Sequence, residues 1–220
     1  MNQSAGAAIT ASIDHATRME AYYRFHAKIY DATRWSFLFG RNEIIQKISA
    51  FATPVNILEI GCGTGKNLIR LNQHFPQAKL TGLDASNSML KVARKNLGPL
   101  TNRVVLLHQV YDRPLQEIPS EDKFDLILCS YSLSMMNPGW EQVIDAAHHD
   151  LSQGGFMAVV DFHDSNWPLF KWLMRIHVRL NSHLLPKLQI CFQTKSVELQ
   201  SAYDGFWQYL LFVGVKQGEK

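Results

Sequence analysis

Short apolar runs alternate with helix-like segments along the middle of this chain. Parallel strands that are buried on both faces have near-continuous apolar sequences, and each needs a crossover, most often a helix, to reach the next strand. The alternation therefore predicts an α/β fold with a Rossmann-like, doubly wound sheet. The predicted strands cover residues 55–60, 80–84, 103–109, 124–130 and 155–161, and the predicted helices cover residues 66–75, 86–97 and 140–151.

The carboxyl-terminal part of the chain has a different pattern. Residues 197–203 and 206–216 are strand-like and are joined by Asp204-Gly205, a tight-turn signal. They predict an antiparallel hairpin at the edge of the sheet. Together with the strands above, this gives a mostly parallel, seven-stranded sheet with a reversed hairpin at its end.

The amino-terminal residues show helical rather than strand-like spacing. Apolar and aromatic side chains between residues 14 and 51 recur at helical intervals and predict two helices that are interrupted near residues 33–40. No linker rich in Pro, Gly or Ser follows. We therefore expect one domain over residues 1–220, in which residues 1–53 form a helical cap and residues 54–220 form the α/β core.

The composition excludes several classes of protein. With 220 residues, 46% of them hydrophobic, the chain can bury a substantial core, which excludes a disordered tail or a disulfide-stapled miniprotein. Three scattered cysteines do not suit a disulfide framework or a zinc site, so we expect no metal and a reducing compartment. The balance of 22 basic against 19 acidic residues is far from that of a dedicated nucleic-acid binder.

No targeting or membrane-spanning segment is predicted. Residues 1–12 have no basic region followed by an apolar stretch, so they do not resemble a signal peptide. No apolar run approaches the roughly 18 residues that a spanning helix requires. We expect a cytoplasmic protein with no nucleic-acid partner.

A glycine-rich turn lies between the first predicted strand and helix. Glycines such as Gly61, Gly63 and Gly65 permit a sharp turn and close approach of a ligand, and the helix start offers unpaired N–H groups. The second predicted strand ends at Asp84, beside the same crevice, where a carboxylate can bind ribose hydroxyls. These features predict a nucleoside-containing cofactor. Lys66 stands where dinucleotide-binding turns have their third glycine, which disfavours NAD.

Residues 58–67, with Gly82-Leu83-Asp84, resemble the first two motifs of class I S-adenosylmethionine-dependent methyltransferases, a resemblance that at fold level covers residues 55–216. It implies S-adenosylmethionine as cofactor, with S-adenosylhomocysteine as product. It also implies that Glu59 and Gly61 lie near the methionyl end and that Asp84 holds the ribose, although Glu59 could instead cap nearby amides. The remaining implied cofactor contacts are Tyr30, Arg34, Cys62, Gly63, Gly65, Asn67, Ala85, Met89, Gln109, Val110, Tyr111 and Ser130.

The region after the fourth strand bears on the substrate. Residues 130–140 lack the Asn/Asp-Pro-Pro-aromatic motif of enzymes that methylate amines of DNA bases. Ser130 and Tyr131 would face the transferable methyl group, or their hydroxyls would satisfy backbone groups at the strand end. Residues 26–34, 124–135 and 160–162 are similar to bacterial diacylglyceryl-homoserine N-methyltransferases of betaine-lipid synthesis and to phosphatidylethanolamine N-methyltransferases. This resemblance implies that the substrate is an amine-bearing lipid.

Two features of the sequence agree with an amine-bearing lipid as the substrate. The cap is rich in aromatic side chains between residues 22 and 39, and such rings attract cationic amines. We expect Tyr22 and Tyr30 to line the site, while most of the other rings pack the cap onto the sheet. Residues 167–185 predict a basic amphipathic helix, and the segment 167–188 suits either peripheral contact with an anionic membrane or packing over the sheet.

Methyl transfer to nitrogen requires an unprotonated amine held in line with the methyl group. Proximity supplies part of the rate, and a desolvated pocket lowers the pKa of an amine. His26, Tyr30 and His163 are candidates to accept the proton or orient the nitrogen. Two alternatives remain open: methylation of a soluble small molecule or quinone precursor, and a nucleoside-binding module without catalysis.

Overall fold

Seven strands form one sheet in the computed structural model, which describes residues 38–115, 123–136, 138–174 and 182–218. The strand order is β3-β2-β1-β4-β5-β7-β6. The strands are β1 (Asn56–Ile60), β2 (Lys79–Asp84), β3 (Val104–His108), β4 (Phe124–Ser130), β5 (Leu151–Asp164), β6 (Gln193–Ala202) and β7 (Trp207–Val215).

The helices of the described residues connect and cover these strands. Helix α3 begins after Ser86, whose side-chain oxygen accepts a hydrogen bond from the Met89 N–H and so caps the helix. The helices are α1 (Arg41–Phe51), α2 (Lys66–His74), α3 (Asn87–Leu97), α4 (Trp140–Asp150), α5 (Pro168–Met174) and α6 (Leu184–Cys191), with short 3₁₀ turns at Gly98–Asn102 and Leu133–Met135.

The sheet is parallel except at β7. Strand β1 pairs in parallel with β2 on one side and with β4 on the other, so the strand order reverses next to β1. In open α/β sheets, ligands bind at the carboxyl ends of the strands where this reversal occurs. Strand β7 runs antiparallel to both β5 and β6 and closes the expected hairpin through a turn at Asp204 and Gly205. The predicted fold class is thereby confirmed.

Both faces of the sheet are buried. Successive residues of β1 point to opposite faces, so Ile57 packs into one apolar cluster while Leu58 and Ile60 pack into the other. Trp207 is fully buried, and its ring lies 5.0 Å from that of Phe162 between centroids. Burial on both faces explains why the strand sequences are apolar throughout rather than alternating.

One predicted element is wrong. The sequence predicts a continuous helix over residues 167–185, but Ser182 has a φ of +56° and α6 begins at Leu184. A residue in the left-handed region cannot continue a right-handed helix, so the backbone breaks at that point. The first predicted helix of the cap lies outside the described residues, and the second corresponds to α1. Among the helices that the structure describes, none has both the length and the apolar character needed to span a bilayer.

Candidate active site

The glycine turn is fastened to the neighbouring strand by main-chain hydrogen bonds. The N–H groups of Gly61 and Cys62 donate to the carbonyl oxygen of Leu83 in β2, at 2.8 and 2.9 Å. Gly65 N–H donates to the Cys62 carbonyl at 2.9 Å. Gly61, Gly63 and Gly65 have φ angles of +72°, +53° and +76°, which only glycine adopts without strain.

The three glycines serve different steric purposes. A Cβ on Gly61 would lie 2.6 Å from the Cβ of Ser132, so its absence lets the loop after β4 pack on the turn. A Cβ on Gly65 would lie 3.2 Å from the Cβ of Ala93 in α3. A Cβ on Gly63 would meet nothing within 4 Å. The middle glycine therefore faces open space, which is where a ligand can approach the backbone.

Asp84 is held directly against this turn. Its Oδ2 oxygen accepts a hydrogen bond from the Gly63 N–H, and its Oδ1 oxygen accepts one from the Ser86 N–H, each at 2.8 Å. A carboxylate oxygen can accept more than one hydrogen bond, so these two N–H donors do not by themselves exclude hydroxyl groups. The structure thus brings together the turn and the carboxylate that the sequence assigned to the same crevice.

Glu59 lies in the interior beside the turn. It is 1% exposed, and its Oε1 oxygen accepts a hydrogen bond from Asn67 Nδ2 at 2.8 Å. Within the described part of the chain, its Oε2 oxygen has no hydrogen-bond partner. Burial raises the pKa of Glu59 to about 8. Oε1 is thus bonded to a nearby amide, that of the Asn67 side chain, as the amide-capping alternative expects.

Cys62 is buried in the turn, and burial raises the pKa of its thiol well above the usual value. A thiol held in its neutral form is a poor nucleophile. Cys62 therefore fills the turn rather than acting as a nucleophile.

Ser130 and Tyr131 lie at the end of β4, and their hydroxyl groups differ in whether they satisfy a backbone group. The Ser130 hydroxyl is buried, and among the described residues it has no hydrogen-bond partner. The Tyr131 hydroxyl donates to the carbonyl oxygen of Phe39 at 2.9 Å, and its ring packs against Phe162. The Tyr131 hydroxyl therefore satisfies a backbone carbonyl, and we assign it no role in methyl transfer.

The predicted cofactor contacts that follow β2 and β3 divide into exposed and buried residues. Ala85, Gln109 and Val110 are exposed near the carboxyl ends of β2 and β3, where a ligand can reach them. Met89 is buried, as is Tyr111, whose hydroxyl donates to Asp150 Oδ2 at 2.7 Å. The Tyr111 hydroxyl is thus directed to α4, and the contact of Tyr111 with the cofactor stays a prediction. The sequence showed no partner for Tyr111 because Asp150 is distant along the chain.

His163 and Asp161 lie near the end of β5. His163 is buried, and burial lowers the pKa of its imidazole, so the ring is neutral at pH 7. Asp161 accepts hydrogen bonds from the N–H and hydroxyl of Ser134 and so holds the loop after β4 against the sheet. Sequence reasoning missed this positioning role, although an acidic residue within the apolar run at residues 156–162 was the available signal.

Four predicted site residues lie outside the described residues: Tyr22, His26, Tyr30 and Arg34. Their roles stay predictions.

Replacement of Asp84 by Ala removes the acceptor of the Gly63 N–H together with the predicted ribose acceptor. Hydrogen bonds to charged groups contribute about 1.5–3 kcal/mol each, so affinity for S-adenosylhomocysteine should fall by about tenfold or more in titration calorimetry. Asp112→Ala, which changes an exposed carboxylate, is the matched control and should keep wild-type affinity. Equal affinities for the two variants would contradict the role of Asp84.

Gly63→Ala and Gly98→Ala form a second matched pair. Their φ angles are +53° and +52°, and a Cβ at either position meets nothing within 4 Å. Both variants should lose stability in thermal unfolding because a Cβ is strained at positive φ, and the loss should be larger for Gly98→Ala, whose ψ of −122° lies outside the left-handed helical region. Only Gly63→Ala should lose affinity for S-adenosylhomocysteine, because its new methyl group occupies the open face of the turn. Wild-type affinity in Gly63→Ala would show that the ligand lies elsewhere.

Known proteins share this fold and part of this sequence. Residues 58–157 match the family model described as a methyltransferase domain. The malonyl-[acyl-carrier protein] O-methyltransferase of Priestia megaterium is 32% identical over 114 residues, which are 51% of this chain and 39% of that protein. The demethylmenaquinone methyltransferase of Listeria welshimeri is 30% identical over 136 residues, 60% of this chain and 56% of that protein. The chain thus spans about two fifths to just over half of the length of these relatives.

Solved structures of methyltransferases have a fold similar to that of this chain. The N-methyltransferase NodS of Bradyrhizobium japonicum, in complex with S-adenosylhomocysteine, has a TM-score of 0.64 at 17% identity and covers 81% of this chain and 86% of its own. The 1,6-didemethyltoxoflavin-N1-methyltransferase of Burkholderia thailandensis has a TM-score of 0.68 at 13% identity. The match covers 93% of this chain and 90% of that protein.

The site residues also fit S-adenosylmethionine. The buried Glu59 offers an acceptor oxygen, Gly63 leaves the backbone open, and Asp84 presents a carboxylate beside it. Residues 58–157 thus match a methyltransferase domain, the fold is one that solved methyltransferases share, and the site residues suit S-adenosylmethionine.

Proposed function

We propose that the protein transfers methyl groups from S-adenosylmethionine to the amine of a lipid head group, of the diacylglyceryl-homoserine or phosphatidylethanolamine type, at the cytoplasmic face of a membrane. The observation that carries this proposal is a set of exposed apolar side chains at the edge of the sheet where the cofactor binds. The sequence resemblance to lipid N-methyltransferases supports the same substrate class.

The apolar rim consists of Trp167, Leu169, Trp172 and Tyr203. Trp167, Leu169 and Trp172 are 56%, 74% and 67% exposed, and they lie at or just before α5, directly after the end of β5. Exposed apolar clusters mark interaction surfaces, and Trp side chains favour the bilayer interface. The rim is therefore suited to contact with a membrane.

Tyr203 extends the apolar rim from the neighbouring hairpin. It is 52% exposed and precedes β7, whose first residues pair with the last residues of β5. The ring of Phe206, in the same turn, lies 5.3 Å from that of Trp167 between centroids. Two separate elements thus contribute to one surface beside the crevice. An amine at the bilayer surface could enter the crevice without its acyl chains leaving the membrane.

The chain supplies binding and proton acceptance rather than a covalent intermediate. S-adenosylmethionine, when bound, supplies an electrophilic methyl group. Asp84 and the glycine turn hold the adenosine part, and the Ser130 hydroxyl, buried at the end of β4, orients the incoming amine. His163 is neutral at pH 7 because burial lowers the pKa of its ring, so it is able to accept the proton of an ammonium substrate.

A second candidate function is methylation of a quinone precursor or another small molecule. The similarity to the demethylmenaquinone methyltransferase of Listeria welshimeri favours it. The similarity to the malonyl-[acyl-carrier protein] O-methyltransferase adds a carboxyl group as a possible methyl acceptor. The two assays below distinguish these candidates from the amine lipid.

The first assay offers S-adenosylmethionine with a labelled methyl group to the purified protein and to phosphatidylethanolamine or diacylglyceryl-homoserine in mixed micelles. Label should appear in the lipid amine, and the Asp84→Ala variant should abolish most of it because its cofactor affinity is low. Demethylmenaquinone and malonyl-acyl-carrier protein are tested in parallel. Transfer to one of these but to neither amine lipid would overturn the proposed substrate.

The second assay tests the apolar rim with the double variant Trp167→Ser, Trp172→Ser. Full burial of one large apolar side chain is worth about 1.5–3 kcal/mol, so vesicle binding should weaken by about tenfold or more and the KM for micellar lipid should rise. Val55→Ser is the control, since Val55 is 62% exposed and precedes β1 at the opposite edge of the sheet. Wild-type vesicle binding by the double variant would contradict a membrane role for the rim.

A further inference from the structure

Two buried serine hydroxyls flank Tyr131 where β4 ends. The Oγ atoms of Ser130 and Ser132 are both buried, and among the described residues neither has a hydrogen-bond partner. Ser132 also interacts with the thiol of Cys129, which stays neutral because burial raises its pKa and which is only a weak hydrogen-bonding group. Buried polar atoms are nearly always paired, so two unpaired hydroxyls in one short segment point to a ligand that pairs them.

Both serines border the glycine turn. Strand pairing aligns Ile60 with Cys129, so Gly61 and Ser130, which come next, leave their strands beside each other. Ser132 approaches Gly61 so closely that a Cβ on the glycine would lie 2.6 Å from the Cβ of Ser132. The two hydroxyls therefore lie at the carboxyl ends of β1 and β4, where the strand order reverses and where open α/β sheets bind their ligands.

The backbone between the two serines is strained and firmly held. Tyr131 has a φ of +54°, a conformation that costs free energy for a residue with a large side chain. Its N–H donates to the Val160 carbonyl at 2.7 Å, and its hydroxyl donates to the Phe39 carbonyl. Asp161 fixes the following turn by accepting hydrogen bonds from the N–H and hydroxyl of Ser134. Strained residues persist where their surroundings over-determine them, and they cluster at functional sites.

A neutral amine matches a pair of hydroxyl acceptors. Its nitrogen has one lone pair, which must face the transferable methyl group, and its N–H bonds point away from that line. A primary amine has two N–H donors, a secondary amine has one and a tertiary amine has none. Each serine oxygen can accept a hydrogen bond, so two hydroxyls suit the primary amine best.

We propose that Ser130 and Ser132 accept the two N–H groups of a primary amine, and that methyl transfer therefore slows with each methyl group already on the nitrogen. This inference rests on the proposed amine-lipid substrate. In each round, the nitrogen lone pair forms the N–C bond while the S–C bond breaks and its electron pair stays on sulfur. The ammonium product of the first two rounds passes one proton to His163 or to solvent, so the next round begins with one N–H fewer.

Initial rates on three lipids test the proposal: phosphatidylethanolamine and its N-methyl and N,N-dimethyl derivatives, each in mixed micelles. A buried hydroxyl left without its partner costs about fivefold or more, so in the wild type kcat/KM should fall by that factor with each methyl group. The double variant Ser130→Ala, Ser132→Ala should lose about tenfold or more on the primary amine and less on the N-methyl lipid. It should lose nothing on the dimethyl lipid, which has no N–H to pair.

Thermal unfolding and cofactor affinity separate this role from a structural one. Neither hydroxyl has a partner among the described residues, so the double variant should keep the unfolding temperature and the S-adenosylhomocysteine affinity of the wild type. Ser49→Ala, which removes an exposed hydroxyl of α1, is the matched control and should behave as the wild type on all three lipids. The single variants should show the same dependence on the lipid, so the comparison holds even where the double variant does not fold.

Equal losses on the three lipids in the serine variants, or a wild-type kcat/KM that does not fall with methylation, would overturn the pairing and leave the lipid substrate standing. Transfer by the wild type to none of the three lipids would overturn the proposed substrate, and with it the pairing of its amine.

Discussion

The site depends on the attachment of the turn after β1 to the end of β2. Main-chain N–H groups of Gly61 and Cys62 share the Leu83 carbonyl, and the N–H of Gly63 donates to the Asp84 carboxylate. These contacts pair main-chain donors of the turn that would otherwise be left without a partner. Asp84 therefore shapes the turn and is also the predicted ribose acceptor, so the two roles cannot be altered independently.

The sequence predicted the sheet well because its signal is local. Apolar runs of strand length separated by helical patterns identified β4 at its full extent and placed the glycine turn and Asp84 in one crevice. Contacts between distant polar groups carry no such periodic signal. The bonds of Tyr111 to Asp150 and of Tyr131 to Phe39 join residues far apart in sequence, and the left-handed backbone of Ser182 has no marker such as glycine.

The buried carboxyl group of Glu59 has a thermodynamic cost. Its pKa in the folded chain, about 8, exceeds the ordinary value of 4.5, so between these values the native state holds more protons than the unfolded state. Its contribution to stability is present at low pH and falls as the pH rises through this interval. A purely structural core would place an apolar residue in β1 at this position. Departures of this kind from good core packing are expected where a protein binds its ligand.

The antiparallel direction of β7 has a consequence for how such a scaffold can diversify. Because β7 runs opposite to β5, the chain reverses at Asp204 and Gly205 on the same side of the molecule as the crevice. Had β7 been parallel, that side would have received the end of the strand and a crossover instead. A short hairpin connection tolerates inserted residues without disturbing the strands it joins. Lengthening this connection could therefore reshape the entrance for larger or differently charged acceptors while the nucleoside pocket stays intact.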